Sequence, residues 1–188
     1  MHRNNVKAAN GIVRLCMAAL TLAWSASPGH AATDVTAADV QAIVQTLGFL
    51  TNLPSSGVLN IAIVYAQDQA GGEARAEQAA GLLASIRGAN QRVFHGTSLA
   101  VKDLGHATPA FDAFLLMPGT SGQGAAINEV VRRRHIISIS TDPACLDTNC
   151  CVLMVSAQGR VRIVLDTALA DAAGARFSPV FAMMVTRK

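Results

Sequence analysis

Charged side chains are scarce in this sequence, and it lacks the motifs of the common enzyme classes. Asp, Glu, Lys and Arg make up 14% of the 188 residues, whereas they make up about 25% of an average soluble protein. There is no G-x-S-x-G motif and no paired-carboxylate motif. His95, His106 and His135 are scattered, without the Ser and Asp context of a catalytic triad. We therefore predict that the protein is not an enzyme.

Cysteine is absent from residues 17 to 144, and the later cysteines do not have metal-binding spacing. Cys145, Cys150 and Cys151 contain no Cys-x-x-Cys pair, and no pair of histidines lies near them in the sequence. A structural zinc site needs about four nitrogen or sulfur ligands at regular spacing. We therefore expect no bound metal, and nothing in the sequence calls for a cofactor.

Long apolar runs are also missing, apart from a short one near the amino terminus. Leu15–Trp24 is too short to span a bilayer. It follows the basic residues Arg3, Lys7 and Arg14, and it precedes Ala31, where small residues favour cleavage. This pattern predicts a secretory signal peptide over residues 1–31 and a mature domain over residues 32–188. We expect the mature chain to be periplasmic and not inserted into the membrane.

Removal of the predicted signal peptide leaves a chain with balanced charge. Residues 1–31 contain three of the 15 basic residues and none of the 12 acidic ones, so the net charge falls from +3 to zero. Arg132, Arg133 and Arg134 lie at the end of a predicted helix, where cations complement the helix dipole. No aromatic residues alternate with them. We therefore predict no binding to nucleic acid.

Alternating helical and β-rich segments predict an α/β fold. Thr36 and Asp39 form a plausible capping box before the first helical pattern, and residues 58–65 are typical of a strand buried on both faces. Helices and strands alternate as far as residue 140, which predicts a single domain with a mostly parallel sheet covered by helices. Residues 157–159 are a turn signal, so we expect a C-terminal β-hairpin followed by a short helix. The predicted helices are 37–50, 72–87, 125–134 and 167–173, and the predicted strands are 58–65, 91–96, 111–117, 136–140, 151–156 and 160–165.

The three late cysteines predict one disulfide bond and one unpaired thiol. A bond between the neighbours Cys150 and Cys151 would need a strained ring. The turn after Cys145 can instead bring Cys145 and Cys151 within bonding range, which leaves Cys150 as the free thiol. Two interpretations stay open: a structural bridge with an incidental thiol, or a redox-responsive site.

Two loops after neighbouring predicted strands form a candidate ligand crevice. Thr120, Ser121 and Gly122 lie before a predicted helix, whose free backbone N–H groups can bind an anion. Thr141 and Asp142 follow the next strand and would lie at the same sheet edge, where parallel sheets commonly bind ligands. The pattern supports an alternative function, a periplasmic small-molecule binding module related to solute-binding proteins. An ordinary connection between a strand and a helix has the same pattern.

An apolar segment near the end of the sequence is a candidate partner surface. It contains Phe177, Phe181, Met183 and Met184. Such residues most often belong to the core, but aromatic and Met side chains are also enriched at the centres of protein interfaces.

Several runs after residue 136 resemble the C-terminal half of the YfiR/HmsC family. They are ISISTDPAC at 137–145, CV at 151–152, RVRIV at 160–164, AAGARF at 172–177 and FAMM at 181–184. Residues 47–50 and 58–65 are similar to the start of that family. The resemblance implies a periplasmic α/β protein that binds the periplasmic domain of an inner-membrane diguanylate cyclase. By repressing that enzyme, such a protein modulates cyclic di-GMP signalling and biofilm formation.

The resemblance also bears on the cysteines. It implies a Cys145–Cys151 bridge, and some family members respond to redox state through disulfides. This sequence departs from the family in two ways. Cys150 stands where relatives usually have another residue, and the second disulfide of some members has no counterpart because residues 32–144 contain no cysteine. A homodimer of the mature chain is a further expectation.

Overall fold

The computed structural model describes residues 34–107 and 110–188, in which strands and helices alternate. The predicted signal peptide at residues 1–31 lies outside the described residues. The strands are β1 (Val58–Tyr65), β2 (Val93–Ala100), β3 (Ala113–Leu116), β4 (Ile137–Ser140), β5 (Leu153–Ser156), β6 (Arg162–Leu165) and β7 (Thr186–Arg187). The helices are α1 (Ala37–Leu47), α2 (Gly72–Ser85), α3 (Gly124–Arg134), α4 (Ala144–Asp147), α5 (Thr167–Ala172) and α6 (Pro179–Met184). Short 3-10 turns lie at Ala89–Gln91, Val101–Asp103 and Thr120–Gln123.

The strands join into one sheet in the order β2-β1-β3-β4-β5-β6-β7. Every neighbouring pair is parallel except β5 and β6, which form the predicted antiparallel hairpin. The predicted fold class is therefore confirmed: an α/β domain with a mostly parallel sheet, helices against it, and a C-terminal hairpin with short helices. The chain leaves β1 toward β2 and leaves β3 toward β4, so the direction of the connections reverses between the carboxyl ends of β1 and β3.

The first helix is fixed at both ends to distant parts of the chain. Thr36 and Asp39 form the predicted capping box. The buried Asp39 carboxylate also accepts a 2.7 Å hydrogen bond from the backbone N–H of Ala157 in the hairpin turn. At the other end, the buried Arg92 guanidinium donates to the carbonyl of Leu47 at 3.4 Å, as basic side chains near helix C-termini commonly do. The helix ends there, before the predicted end at residue 50.

The centre of the sheet is fully buried, and its polar side chains are paired. All the residues of β3 and β4 are buried. The Ser138 hydroxyl donates to the carbonyl of Cys150 at 2.9 Å, and the Ser140 hydroxyl donates to the carbonyl of Leu116 at 3.0 Å. Since both hydroxyls are satisfied, the sequence ISIS forms a buried strand although every second residue is polar.

The second strand continues past Gly96, where the sequence predicted its end. A Cβ atom at Gly96 would lie 3.0 Å from the Cα of Ala80 in α2 and 3.1 Å from the Cδ1 of Ile63 in β1. Glycine at this position therefore permits the close approach of α2 to the sheet and does not end the strand.

Two short helices in the C-terminal part were not predicted. α4 follows Pro143, which was expected to end regular structure. The Asp142 carboxylate accepts a 2.9 Å hydrogen bond from the backbone N–H of Ala144 at its start. α6 begins at Pro179, where the missing N–H of proline removes no helical hydrogen bond. Among the described helices, none is both long and apolar enough to cross a bilayer.

Candidate functional site

A disulfide joins Cys145 in α4 to Cys151 just before β5, as the sequence predicted. The two Cα atoms are 5.4 Å apart, and both residues are buried. The enclosed loop is held from within, because the backbone N–H of Cys150 donates to the carbonyl of Cys145 at 3.0 Å. The bridge therefore fixes the path by which the chain passes from β4 to β5.

Cys150 is a free thiol that solvent does not reach. It is fully buried, and the Thr148 hydroxyl donates to its sulfur at 3.3 Å. Burial raises the pKa of the Cys150 thiol, which outweighs the opposing effect of the Thr148 hydrogen bond. Because the reactive form of cysteine is the thiolate, this environment favours the structural interpretation of the disulfide loop over the redox-responsive one.

The two loops of the predicted crevice meet, but the polar side chains of Asp142 and Thr120 form hydrogen bonds within the protein. The Asp142 carboxylate accepts a 3.3 Å hydrogen bond from the backbone N–H of Gly119, in addition to the bond from Ala144. Thr120 is buried, and its hydroxyl donates to the carbonyl of Met117 at 2.9 Å. Ser121 and Thr141 are partly exposed, and Gly122 is exposed. Asp142 and Thr120 thus have internal partners in place of a ligand.

An open cleft of about 620 Å³ lies on the other side of β1, at the carboxyl ends of β1 and β2. Its polar lining comes from the loop after β1, the first turn of α2 and the 3-10 turn after β2, and consists of Tyr65, Gln67, Gln69, Glu73, Lys102 and Asp103. Sequence reasoning missed this cleft because residues 66–70 were interpreted only as a turn. The signal that could have found it is the position of residues 65–74 directly after a predicted strand, at the edge where parallel sheets commonly bind ligands.

The predicted C-terminal surface separates into a buried part and an exposed part. Phe181 is fully buried, and its ring stacks on Phe177 with centroids 4.7 Å apart and on Phe49 with centroids 5.3 Å apart. Met183 and Met184 are 80% and 54% exposed.

The exposed part includes a residue that the sequence analysis did not single out. Val180 is 54% exposed and, with Met183 and Met184, lies at the i, i+3 and i+4 positions that share one side of a helix. We call these three residues the α6 apolar face. The i, i+3 and i+4 spacing of these residues can be seen in the sequence, but it indicates a shared face only if the segment is a helix.

Hydrogen bonds hold the segment that carries this face. The backbone N–H of Ser178 donates to the carbonyl of Phe49 at 2.9 Å. Beyond α6, the Lys188 ammonium donates to the Asn149 side chain at 2.8 Å, lies 3.3 Å from the Asp166 carboxylate, and contacts the carbonyl of Leu146. Leu146 and Asn149 lie inside the disulfide loop, so Lys188 links that loop to the segment after α6.

The described residues contain no cluster of side chains suited to a metal ion. Within residues 34–107 and 110–188, no group of three or more His, Cys, Asp and Glu side chains is placed to hold a metal ion.

Comparison with known proteins supports the fold and goes no further. No family model and no curated protein matches the chain. Among solved structures, the chain is similar to the crystal structure of a conserved domain protein from Vibrio cholerae O1 biovar El Tor, with a TM-score of 0.53 and 12% sequence identity. The similarity covers 82% of this chain and 61% of that protein, so the chain spans about three fifths of its neighbour's length. At this identity the likeness concerns the α/β fold alone.

Proposed function

We propose that the mature chain is a non-enzymatic periplasmic regulator that binds the periplasmic domain of an inner-membrane diguanylate cyclase and represses it. Through that enzyme it would modulate cyclic di-GMP signalling and biofilm formation. The proposal extends the resemblance of the runs between residues 137 and 184 to the YfiR/HmsC family. The structural observation that carries it is the α6 apolar face.

The α6 apolar face has the composition and rigidity of a docking surface. Its three large apolar side chains are exposed together on one short helix, whereas Val58 and Val161 are exposed in other parts of the chain. Adjacent exposed apolar residues commonly mark binding sites. The buried Phe181 on the same helix stacks on two other rings, so the face is held in place before a partner arrives and less conformational entropy is lost on binding.

The disulfide supports the cellular location in this proposal. Bridges such as Cys145–Cys151 persist in oxidising spaces that include the bacterial periplasm. A periplasmic regulator would also meet only the external portion of a membrane cyclase, which agrees with a protein–protein surface in place of a catalytic site.

Substitutions on the α6 apolar face test the proposal directly. We expect Met183→Asp and Met184→Asp to weaken binding to the periplasmic domain of the cyclase by about tenfold or more, because each places a charge in an apolar interface. Val161→Asp is the matched control, since Val161 is 59% exposed and lies outside α6. The measurements are the dissociation constant in biosensor assays and cyclic di-GMP in cells that carry each variant.

Two results would contradict the proposal at different levels. If neither the oxidised nor the reduced unaltered protein binds the cyclase domain, the proposed function is wrong. If the unaltered protein binds and all three Asp variants bind equally well, the partner is correct but the docking surface lies elsewhere.

A further inference from the structure

The open cleft at the carboxyl ends of β1 and β2 has the size and position of a ligand site. Its volume of about 620 Å³ lies within the roughly 300–1,000 Å³ typical of small-molecule pockets. It is lined by segments that follow two neighbouring parallel strands, at the edge where open α/β sheets bind ligands. The cleft does not include α6, so a ligand here is independent of the proposed docking surface.

Glycine at the start of α2 allows the helix to form one wall of the cleft. Gly71 has a φ of 69°, which favours glycine. A Cβ atom at Gly72 would lie 2.9 Å from the carbonyl oxygen of Ala66 and 3.4 Å from the Tyr65 ring. Any larger residue would push the helix away from the end of β1. The first turn of α2, including Glu73, is therefore held close to Tyr65.

Within the described part of the chain, the charges that line the cleft form no ion pairs. Among the described residues, the ion pairs are Arg75–Asp34, Arg133–Glu129 and Lys188–Asp166. Glu73 and Asp103 come from different elements and face the cleft together with Lys102. The side chains of the lining thus carry one more negative than positive charge. The N-terminus of α2, which forms one wall, contributes a partial positive charge that reduces this excess. The remaining negative charge favours a ligand with a single positive charge over one with two.

The phenol of Tyr65 reports the same electrostatic environment. Loss of hydration raises the pKa of Tyr65, and the carboxylates of Glu73 and Asp103 raise it further. The two carboxylates therefore act on the same region of the cleft although they are far apart in the sequence.

The uncharged lining indicates the rest of the ligand. Gln67 and Gln69 present amide groups that both donate and accept hydrogen bonds. Apart from the Tyr65 ring, the apolar part of the lining is limited to the small side chains of Ala70, Ala74 and Ala100. Such a lining suits a small hydroxylated molecule better than a large hydrocarbon.

We propose that this cleft binds a small hydroxylated amine, of the amino-sugar or amino-alcohol class. Glu73 and Asp103 pair with its protonated amino group, and Gln67 and Gln69 bond to its hydroxyl groups. Lys102 sets a limit of one positive charge on the ligand, because a second ammonium group would meet a like charge.

Three chemically matched sugars test the proposal on the full mature chain. Glucosamine carries the amine, N-acetylglucosamine has it neutralised as an amide, and glucose has a hydroxyl in its place. We expect glucosamine to shift the amide resonances of residues 65–74 and 100–103 in NMR titrations near neutral pH, and the two uncharged sugars to shift them much less. Putrescine, with two ammonium groups, should bind more weakly than glucosamine.

Charge-changing variants give the sign of each interaction. Glu73→Gln and Asp103→Asn should each weaken glucosamine binding by about tenfold, and Lys102→Gln should strengthen it. Asp171→Asn, at an exposed site outside the cleft lining, is the control and should have no effect. Because these four residues are exposed, the variants should keep the unaltered fold, which circular dichroism checks.

Several outcomes would overturn the proposal. Absence of any shift at saturating amine, equal shifts with glucosamine and N-acetylglucosamine, or weaker binding in Lys102→Gln would each exclude it. The last result would indicate an anionic ligand. None of these outcomes depends on whether the cyclase is the partner.

Discussion

At the scale of single residues, two glycines of similar appearance in the sequence have opposite roles. Gly96 lies in β2 directly beneath Ala80 of α2, whereas Gly81 is exposed within α2 with no atom within 4 Å of an added Cβ. The first is required by a close contact. The second makes no such contact, and it only increases the conformational entropy that the chain loses when the helix forms.

We therefore expect Gly96→Ala and Gly81→Ala to change stability in opposite directions. Gly96→Ala should lower the free energy of unfolding by about 1–3 kcal/mol, because the new methyl group meets the backbone of α2. Gly81→Ala should raise it by roughly 0.5–1 kcal/mol, because alanine favours the helix. Urea denaturation of both variants measures the two changes, and a stabilising Gly96→Ala would show that α2 can move away from the sheet.

Burial of the Cys150 thiol predicts a dependence of stability on pH. Because the pKa of Cys150 is raised in the folded protein above its usual value of 9.0, the folded state holds the thiol proton more tightly than the unfolded state. The resulting stability is complete below the unfolded pKa. It is lost progressively as the pH rises from that value through the folded pKa.

The comparison that isolates this effect is between the unaltered protein and Cys150→Ala. The difference in their free energies of unfolding should be constant near neutral pH and should shrink from about pH 8.5 upward. Denaturation curves must be recorded before thiol–disulfide exchange begins. A difference that stays constant into alkaline solution would show that the thiol ionises with the same pKa in the folded and unfolded protein, so that burial does not raise it.

At the scale of elements, the disulfide acts on a single short connection. The bridge spans a sequence separation of 6, so the entropy that it removes from the unfolded chain corresponds to about 2 kcal/mol. The segment that it encloses is also the one contacted by Lys188. Loss of the bridge should therefore affect residues 144–151 and the end of β7 together.

We expect Cys145→Ala with Cys151→Ala to lower the free energy of unfolding by about 2 kcal/mol or slightly more. Amide hydrogen exchange should become faster in residues 144–151 and 186–188, while β1 and β3 stay protected. Cys150→Ala keeps the bridge and serves as the control. Faster exchange throughout the sheet in the double variant would mean that the bridge supports the whole domain.

The elements predicted well from the sequence are those fixed by local chemistry. β1 was predicted with its observed bounds because eight consecutive residues suit a doubly buried strand. The start of α1 follows from the Thr36–Asp39 capping box. By contrast, β2 was cut short at Gly96, since the contact with Ala80 that requires a glycine comes from another element.

The candidate sites also divide into features fixed by local sequence and features fixed by contacts between distant segments. The Cys145–Cys151 bridge was predictable because a short turn determines it. The proximity of Gly119 and Asp142 was also predictable from the order of strands and loops. The use of the Asp142 carboxylate as an internal acceptor was not, nor was the cleft between residues 65–74 and 100–103, because both depend on how separate loops pack in three dimensions.

At the scale of the whole molecule, the sheet is best protected at its centre. β3 and β4 are each paired on both sides and fully buried, whereas β2 and β7 lie at the two edges of the described sheet. We expect amide exchange to be slowest in β3 and β4 and fastest in β7, with the outward-facing amides of β2 in between. Exchange measured by mass spectrometry checks this order, and an unprotected β4 would contradict the described sheet order.

The two edges of the sheet differ in what they offer to another polypeptide. β7 has two residues, whereas β2 has eight. Among the described residues of β2, only Val93 at the start of the strand is bridged on the outer side, by Arg87. Backbone groups along an edge strand are a template for one more strand. The outer side of β2 from Gly96 to Ala100 is therefore the longest unpaired edge of the described sheet, and a backbone that paired with it would extend the sheet by one strand.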